Sequence, residues 1–236
     1  MRIDSSRALQ FVGRVRFLVF FCMLANSVFA IAPPALEAAL ATFRTDGPRG
    51  WAFTQRTEAE GRSLTERFDP AQRDLARWTL LQQDGRAPTI DERTSYIDDL
   101  KHRTQGETAP KLTDQFDLGT LEIVSDTPEQ ANYRLRLKPS ESADKTAAFL
   151  RITLVLHKPT QTITSVEVAN TAEFTPTFGV NITEMKTVMT YSLPAEGRPS
   201  LPQKVTTRLR GRAFWFKSLD ADMTVTFSDY VRAGRQ

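Results

Sequence analysis

The chain has 236 residues, with 31 Lys and Arg against 28 Asp and Glu, 40% apolar residues, 25% charged residues and one cysteine. Residues 1–30 hold Arg2, Arg7, Arg14 and Arg16 but only Asp4, so taking four from 31 and one from 28 leaves 27 charges of each sign on the rest. That balance argues against nucleic-acid binding, which needs a surplus of Lys and Arg on one face; the composition excludes collagen, a coiled coil, a disulfide scaffold and a polytopic membrane protein.

Chain order begins with an address. The Arg-rich start leads into the apolar run Phe17–Ala25 and then Asn26–Ala30, with Val28 and Ala30 at the −3 and −1 positions of a cleavage site. This is the tripartite layout of a cleavable secretory signal peptide over residues 1–30. Nine apolar residues fall far short of the ~20 that a spanning helix needs. Cys22 follows Phe21, and lipid attachment wants a small residue there. Cleavage near Ala30 predicts an exported, periplasmic chain without cysteine, disulfide or membrane span. Residues 31–236 read as a single domain.

Pro33 and Pro34 open a short helix whose apolar stripe is Leu36, Leu40 and Phe43. After the breaker Asp46–Gly50, alternation predicts strands over 51–58, 63–68 and 78–83. Thr89 and Glu92 have capping-box spacing for a second helix carrying Tyr96, Ile97 and Leu100. Lys101, His102 and Arg103 suit its last turn. From about residue 112 the period is two. Strands are predicted over 121–124, 133–138, 149–156, 162–168, 180–191, 203–210, 213–217 and 223–227, with Pro, Gly and Asp between them. No helix separates these strands, so they form an antiparallel meander and not βαβ units. The predicted fold class is α+β: one strongly curved antiparallel sheet of roughly ten strands, an unclosed half-barrel, with two helices forming a lid.

A search for chemistry is largely negative. There is no nucleophile elbow, phosphate-cradling loop or dinucleotide fingerprint. His102 and His157 lack partners at metal-ligand spacing, so no metal and no cofactor is predicted. Glu58 and Glu60 share a strand face, which permits acid–base work, although an outward-facing solvated pair is the simpler reading. The apolar distribution says more. Leu150, Ile152, Leu154 and Leu156 share one face, and Tyr133, Leu135 and Leu137 another opposite Arg134 and Arg136. Such a face is either one solid core or the wall of a cavity for an apolar chain. For a cavity, the lining candidates are Trp51, Phe53, Trp78, Leu135, Leu154, Phe178, Met185, Tyr191 and Phe214, and the lid candidates are Leu36, Leu40 and Tyr96.

The order of helix, strand pair, Trp78–Pro88, helix and long meander, with Val168–Phe178 and the closing segment Gly211–Tyr230, resembles exported bacterial proteins similar to the LolA/LolB lipoprotein-carrier superfamily. That resemblance covers most of residues 33–230. It implies an unclosed barrel with helices as a lid, an apolar cavity, a periplasmic setting and a lipid or lipoprotein acyl chain as ligand. It assigns no individual residue a role. The lack of a lipid-attachment cysteine matches a soluble carrier and departs from the anchored acceptor. The segment Asp84–Thr108 is an addition to the carrier's length.

Three functions follow as expectations. The first is a non-catalytic periplasmic carrier of an apolar ligand. The second is an envelope protein-interaction or sensor module with a filled core, where Trp215 or Trp51 would anchor a partner protein. The third is a hydrolase using Glu58 or Glu60.

Overall fold

Alternating apolar residues build the molecule, because each strand buries every second side chain against one face. The computed structural model describes residues 32–44, 49–104, 112–139, 146–214 and 216–233; residues 1–30, expected to form a signal peptide, and Trp215 lie outside the described residues. Helix α1 is Pro34–Thr42 and helix α2 is Ile90–Thr104. The strands are β1 (Trp51–Ala59), β2 (Arg62–Phe68), β3 (Trp78–Gln83), β4 (Phe116–Asp126), β5 (Gln130–Leu137), β6 (Leu150–His157), β7 (Thr162–Asn170), β8 (Phe174–Thr177), β9 (Val180–Tyr191), β10 (Pro202–Ala213), β11 (Lys217–Ser218) and β12 (Ala221–Arg232). No described helix is long and apolar enough to cross a membrane.

All strands join one antiparallel sheet in the order β3-β2-β1-β12-β10-β9-β7-β6-β5-β4, with β11 on β10 and β8 on β9. β3 and β4 are the two edges and do not pair, so the barrel is unclosed. The expected α+β half-barrel is therefore what the chain forms. Two long-range features organise it. β1 pairs with β12, from Trp51 opposite Arg232 to Ala59 opposite Met223. The chain passes from edge β3 to edge β4 through α2.

Register places Phe53, Phe68, Trp78, Leu80, Val225, Val205, Met189, Val166, Leu154, Ile152, Leu135 and Tyr133 on one face. Both helices lie on this concave side. The opposite face carries charge: Arg56 pairs with Glu58 at 2.7 Å, Lys186 with Glu167 at 2.8 Å, and Arg210 with Asp222 at 2.7 Å. Such solvent-exposed pairs contribute little stability, roughly 0–1 kcal/mol each; they keep the outer face wet. Arg134 and Arg136 stand outward and Tyr133, Leu135 and Leu137 inward, as the alternation predicts.

The capping box at α2 is present. The Thr89 amide donates to Glu92 Oε2 at 2.7 Å, and the Glu92 amide to Thr89 Oγ1 at 3.2 Å. Arg86 adds a bidentate pair to the same carboxylate, which holds it down at about 2. Ile97 is exposed, so the buried stripe of α2 narrows to Tyr96 and Leu100.

Two expectations fail at the end of β10. Residues 213–217 do not form a strand of their own. Ala213 ends β10, Phe214 turns with φ 48°, and Lys217 begins the two-residue β11. Gly211, expected between strands, lies inside β10 at a bulge opposite β9. Its glycine is required, because a Cβ there would come within 2.5 Å of the Asn181 carbonyl oxygen.

Candidate functional site

The concave face is covered at its two ends and open in the middle. At one end α1 lays Leu36 and Ala39 onto Leu135, Ile152, Leu154, Leu156 and Val166, all buried. Leu40 and Phe43 complete the contact half-buried. Among the described residues, packing is what holds α1 to the sheet. It is nine residues long, starts from Pro33 without a side-chain cap, and is too short to be stable alone in water. At the other end α2 lays Tyr96 and Leu100 onto Leu80, with Leu64, Leu75 and Trp78 alongside. Between the ends runs a strip of half-buried apolar and small polar side chains: Met185, Thr187 and Met189 of β9, Val205, Thr207 and Leu209 of β10, and Val225 and Phe227 of β12.

A cavity of about 460 Å³ opens where the C-terminal end of α1 meets the β6–β7 turn and the segment joining β9 to β10. Ala39, Phe43, Trp51, Ile163, Tyr191, Leu201 and Pro202 supply an apolar wall. Thr42, Arg44 and Arg49 also line it. Phe43 meets Tyr191 edge to face, with ring centroids 4.9 Å apart. Two hydroxyls in this wall are poorly satisfied. Ser200 Oγ is buried with no hydrogen-bond partner, among the described residues, and lines the cavity. The Tyr191 hydroxyl donates only to the Met189 thioether, at 3.8 Å, and burial pushes its pKa up to about 12. A buried hydroxyl without a partner costs ~1–3 kcal/mol, and a polar group beside Ser200 would remove that cost. The volume falls within the ~300–1,000 Å³ usual for small-molecule sites.

The α2 end is chemically different. Glu66 is in phase with Leu64 and Phe68 on the inward side of β2, and only 1% of it is exposed. Tyr96 donates its hydroxyl to Glu66 Oε1 at 2.7 Å, and Gln55 Nε2 donates to Oε2 at 3.3 Å. The helix is thus tied to the sheet by a buried carboxylate. Beside it, Phe53 contacts Phe68, Trp78, Phe227 and Tyr230, with ring centroids 5.1–6.0 Å away.

The lining candidates disperse over these regions. Trp51 and Tyr191 border the cavity. Leu135 and Leu154 sit in the solid core beneath α1 and touch no open space while α1 is docked. Phe53 and Trp78 belong to the aromatic cluster, and Met185 to the uncovered strip. Phe178 and Phe214 are corrections. They lie at turns outside the concavity, 86% and 52% exposed. Phe178 precedes Gly179 at a tight turn, and the positive φ of Phe214 throws its ring out of the strand pattern. Of the lid candidates, Leu36 and Leu40 anchor α1, and Tyr96 anchors α2.

Glu58 and Glu60 do not converge on the concave side. Glu58 faces outward against Arg56, and Glu60 takes φ 51° in the β1–β2 turn. Both border a shallow polar hollow with Arg210 and Asp222. Sequence reasoning missed Ser200, Leu201 and Glu66. The first two lie in a Pro-rich connection that reads as a loop. Glu66 had a signal, since its phase on β2 is that of the inward residues. Among the described residues no group of acids and histidines is arranged to hold a metal ion. No known protein family, curated protein or solved structure matches the chain.

Proposed function

We propose that the protein is an exported, periplasmic, non-catalytic carrier that holds the acyl chain of a lipid or lipoprotein at the α1 end of its concave face, in the manner of the LolA-like carriers it resembles. The supporting observation is the cavity beside α1, with an apolar wall and an unpartnered Ser200 hydroxyl. Phe43, Tyr191, Leu201 and Pro202 would contact methylenes, and Ser200 would give its hydroxyl to an ester or carboxyl oxygen. Each buried methylene contributes ~0.8 kcal/mol. About ten of them reach the scale of a micromolar dissociation constant before ordering costs are deducted. Separation of α1 from the sheet would extend the cavity over Leu135 and Leu154.

Displacement of a fluorescent fatty acid, with native mass spectrometry of the purified protein, tests this. Thr42 is exposed at the cavity wall, so Thr42→Trp fills the space without touching the core. Binding at one chain per protein should be lost in Thr42→Trp with an unchanged circular dichroism spectrum. Ligand-free protein that also ignores the probe would sink the reading.

A second reading, an envelope interaction or sensor module, is favoured by a different observation. Leu36, Leu135, Ile152, Leu154, Leu156 and Val166 are all fully buried, so the sheet under α1 is already filled by side chains.

A further inference from the structure

Two turns carry aromatic side chains away from every core of the molecule. The β8–β9 turn presents Phe178, and the turn from β10 to β11 presents Phe214 and Phe216; Phe216 is 87% exposed. The turns are clamped together. The Phe214 amide donates to the Gly179 carbonyl at 2.6 Å. The Phe214 ring lies so close to Gly179 that a Cβ there would be 2.8 Å from it. Phe214 takes φ 48° to do this, an uncommon conformation for a bulky residue. An uncommon backbone conformation that clamps the two turns, with Phe178 and Phe216 projecting beside it, indicates an interaction surface.

The chemistry of the tip selects its partner. Within residues 177–180 and 212–218 the charged residues are Arg212 and Lys217, both exposed and both cationic. The nearest acids along the chain are Glu173, Glu184 and Asp220; Asp220 accepts the Gly211 amide at 3.2 Å. Three phenylalanines offer at most roughly 750 Å², below the ~800 Å² that each side of a stable protein interface buries. Projecting rings flanked by cations match the acyl–headgroup boundary of an anionic bilayer. We infer that the paired turns carrying Phe178, Phe214 and Phe216 dock the protein on an anionic lipid bilayer. β9 runs from this tip to the cavity, so the two are separated by its twelve residues, roughly 36 Å at strand rise.

Co-sedimentation with vesicles tests the inference. The purified protein should bind vesicles of equal parts phosphatidylglycerol and phosphatidylcholine, and bind phosphatidylcholine alone far less. Phe178→Ser with Phe216→Ser should weaken binding about tenfold or more. Arg212→Gln and Lys217→Gln should each weaken it about fivefold, with added salt acting in the same direction. These residues are exposed, so circular dichroism should be unchanged. Absence of binding to the anionic vesicles, or binding indifferent to the two Phe substitutions, overturns the inference. So does a concentration-dependent dimer that those substitutions abolish without any vesicle binding, which would assign the tip to a second copy of the chain.

Discussion

The two helices close opposite ends of one concave face by different physics. α1 rests on an all-apolar core, in which Leu36, Leu135, Ile152, Leu154 and Val166 are buried with no charge among them. α2 buries only Tyr96 and Leu100 on Leu80 and is fastened by the Tyr96–Glu66 bond below and the Arg86–Glu92–Thr89 cap at its start. Apolar burial is strong and non-directional, so α1 has many nearly equivalent ways to sit or to yield to an apolar guest. Polar fastening is weaker in total but specifies one geometry, because each misplaced bond exposes an unpaired group.

The comparison can be tested by substitution, with the largest effect at the α1 end. Leu154→Ala removes a fully buried side chain beneath α1 and should cost about 2–5 kcal/mol in urea unfolding. A much smaller loss would mean that α1 collapses into the space and the core is less rigid than its burial implies. Tyr96→Phe keeps the ring on Leu80 but takes a donor from the buried Glu66, for about 1–3 kcal/mol. Hydrogen exchange should then rise in α2 and leave α1 unchanged; an equal rise in both would merge the two ends into one cooperative unit.

The smallest effect is with pH. The Arg86 guanidinium, and then the Thr89 amide, lower the folded Glu92 pKa to about 2, against roughly 4.3 when unfolded. Because the folded value is the lower one, the contribution is fully present above about pH 4.3 and is lost as pH falls toward 2. Acid should therefore loosen the start of α2 before α1, by far-ultraviolet circular dichroism and exchange, and Arg86→Gln should move that loosening to higher pH. Acid loosening that begins at α1 would contradict the difference between the ends.

Much of this was legible in the sequence because local physics wrote it. The Thr89–Glu92 spacing marked the start of α2, and the alternation at 133–137 and 150–156 assigned faces correctly. Pairing across long separations left no such trace. Nothing near Trp51 announces that Arg232 will lie beside it, and a half-barrel's ends are set by that pairing. Phe214 misled because an aromatic run reads as a strand, while its positive φ is imposed by the contact with Gly179. The cavity was illegible for a related reason. Its wall comes from α1, β1, a β6–β7 turn and the Pro-rich 194–202 connection, which meet only after the sheet has curved.

The pairing of the first strand with the last constrains the order of events during folding. β1, β2 and β3 attach to the rest of the sheet only through β12. The α2 end of the concave face therefore cannot dock until residues 221–232 have arrived, whereas β4 to β10 can condense around α1 from neighbouring hairpins. Closing so distant a contact is slow, on the ms–s scale typical of sheets built from remote pairs. During that interval the open edge of β12's neighbour β10 is the surface most exposed to mispairing with another chain.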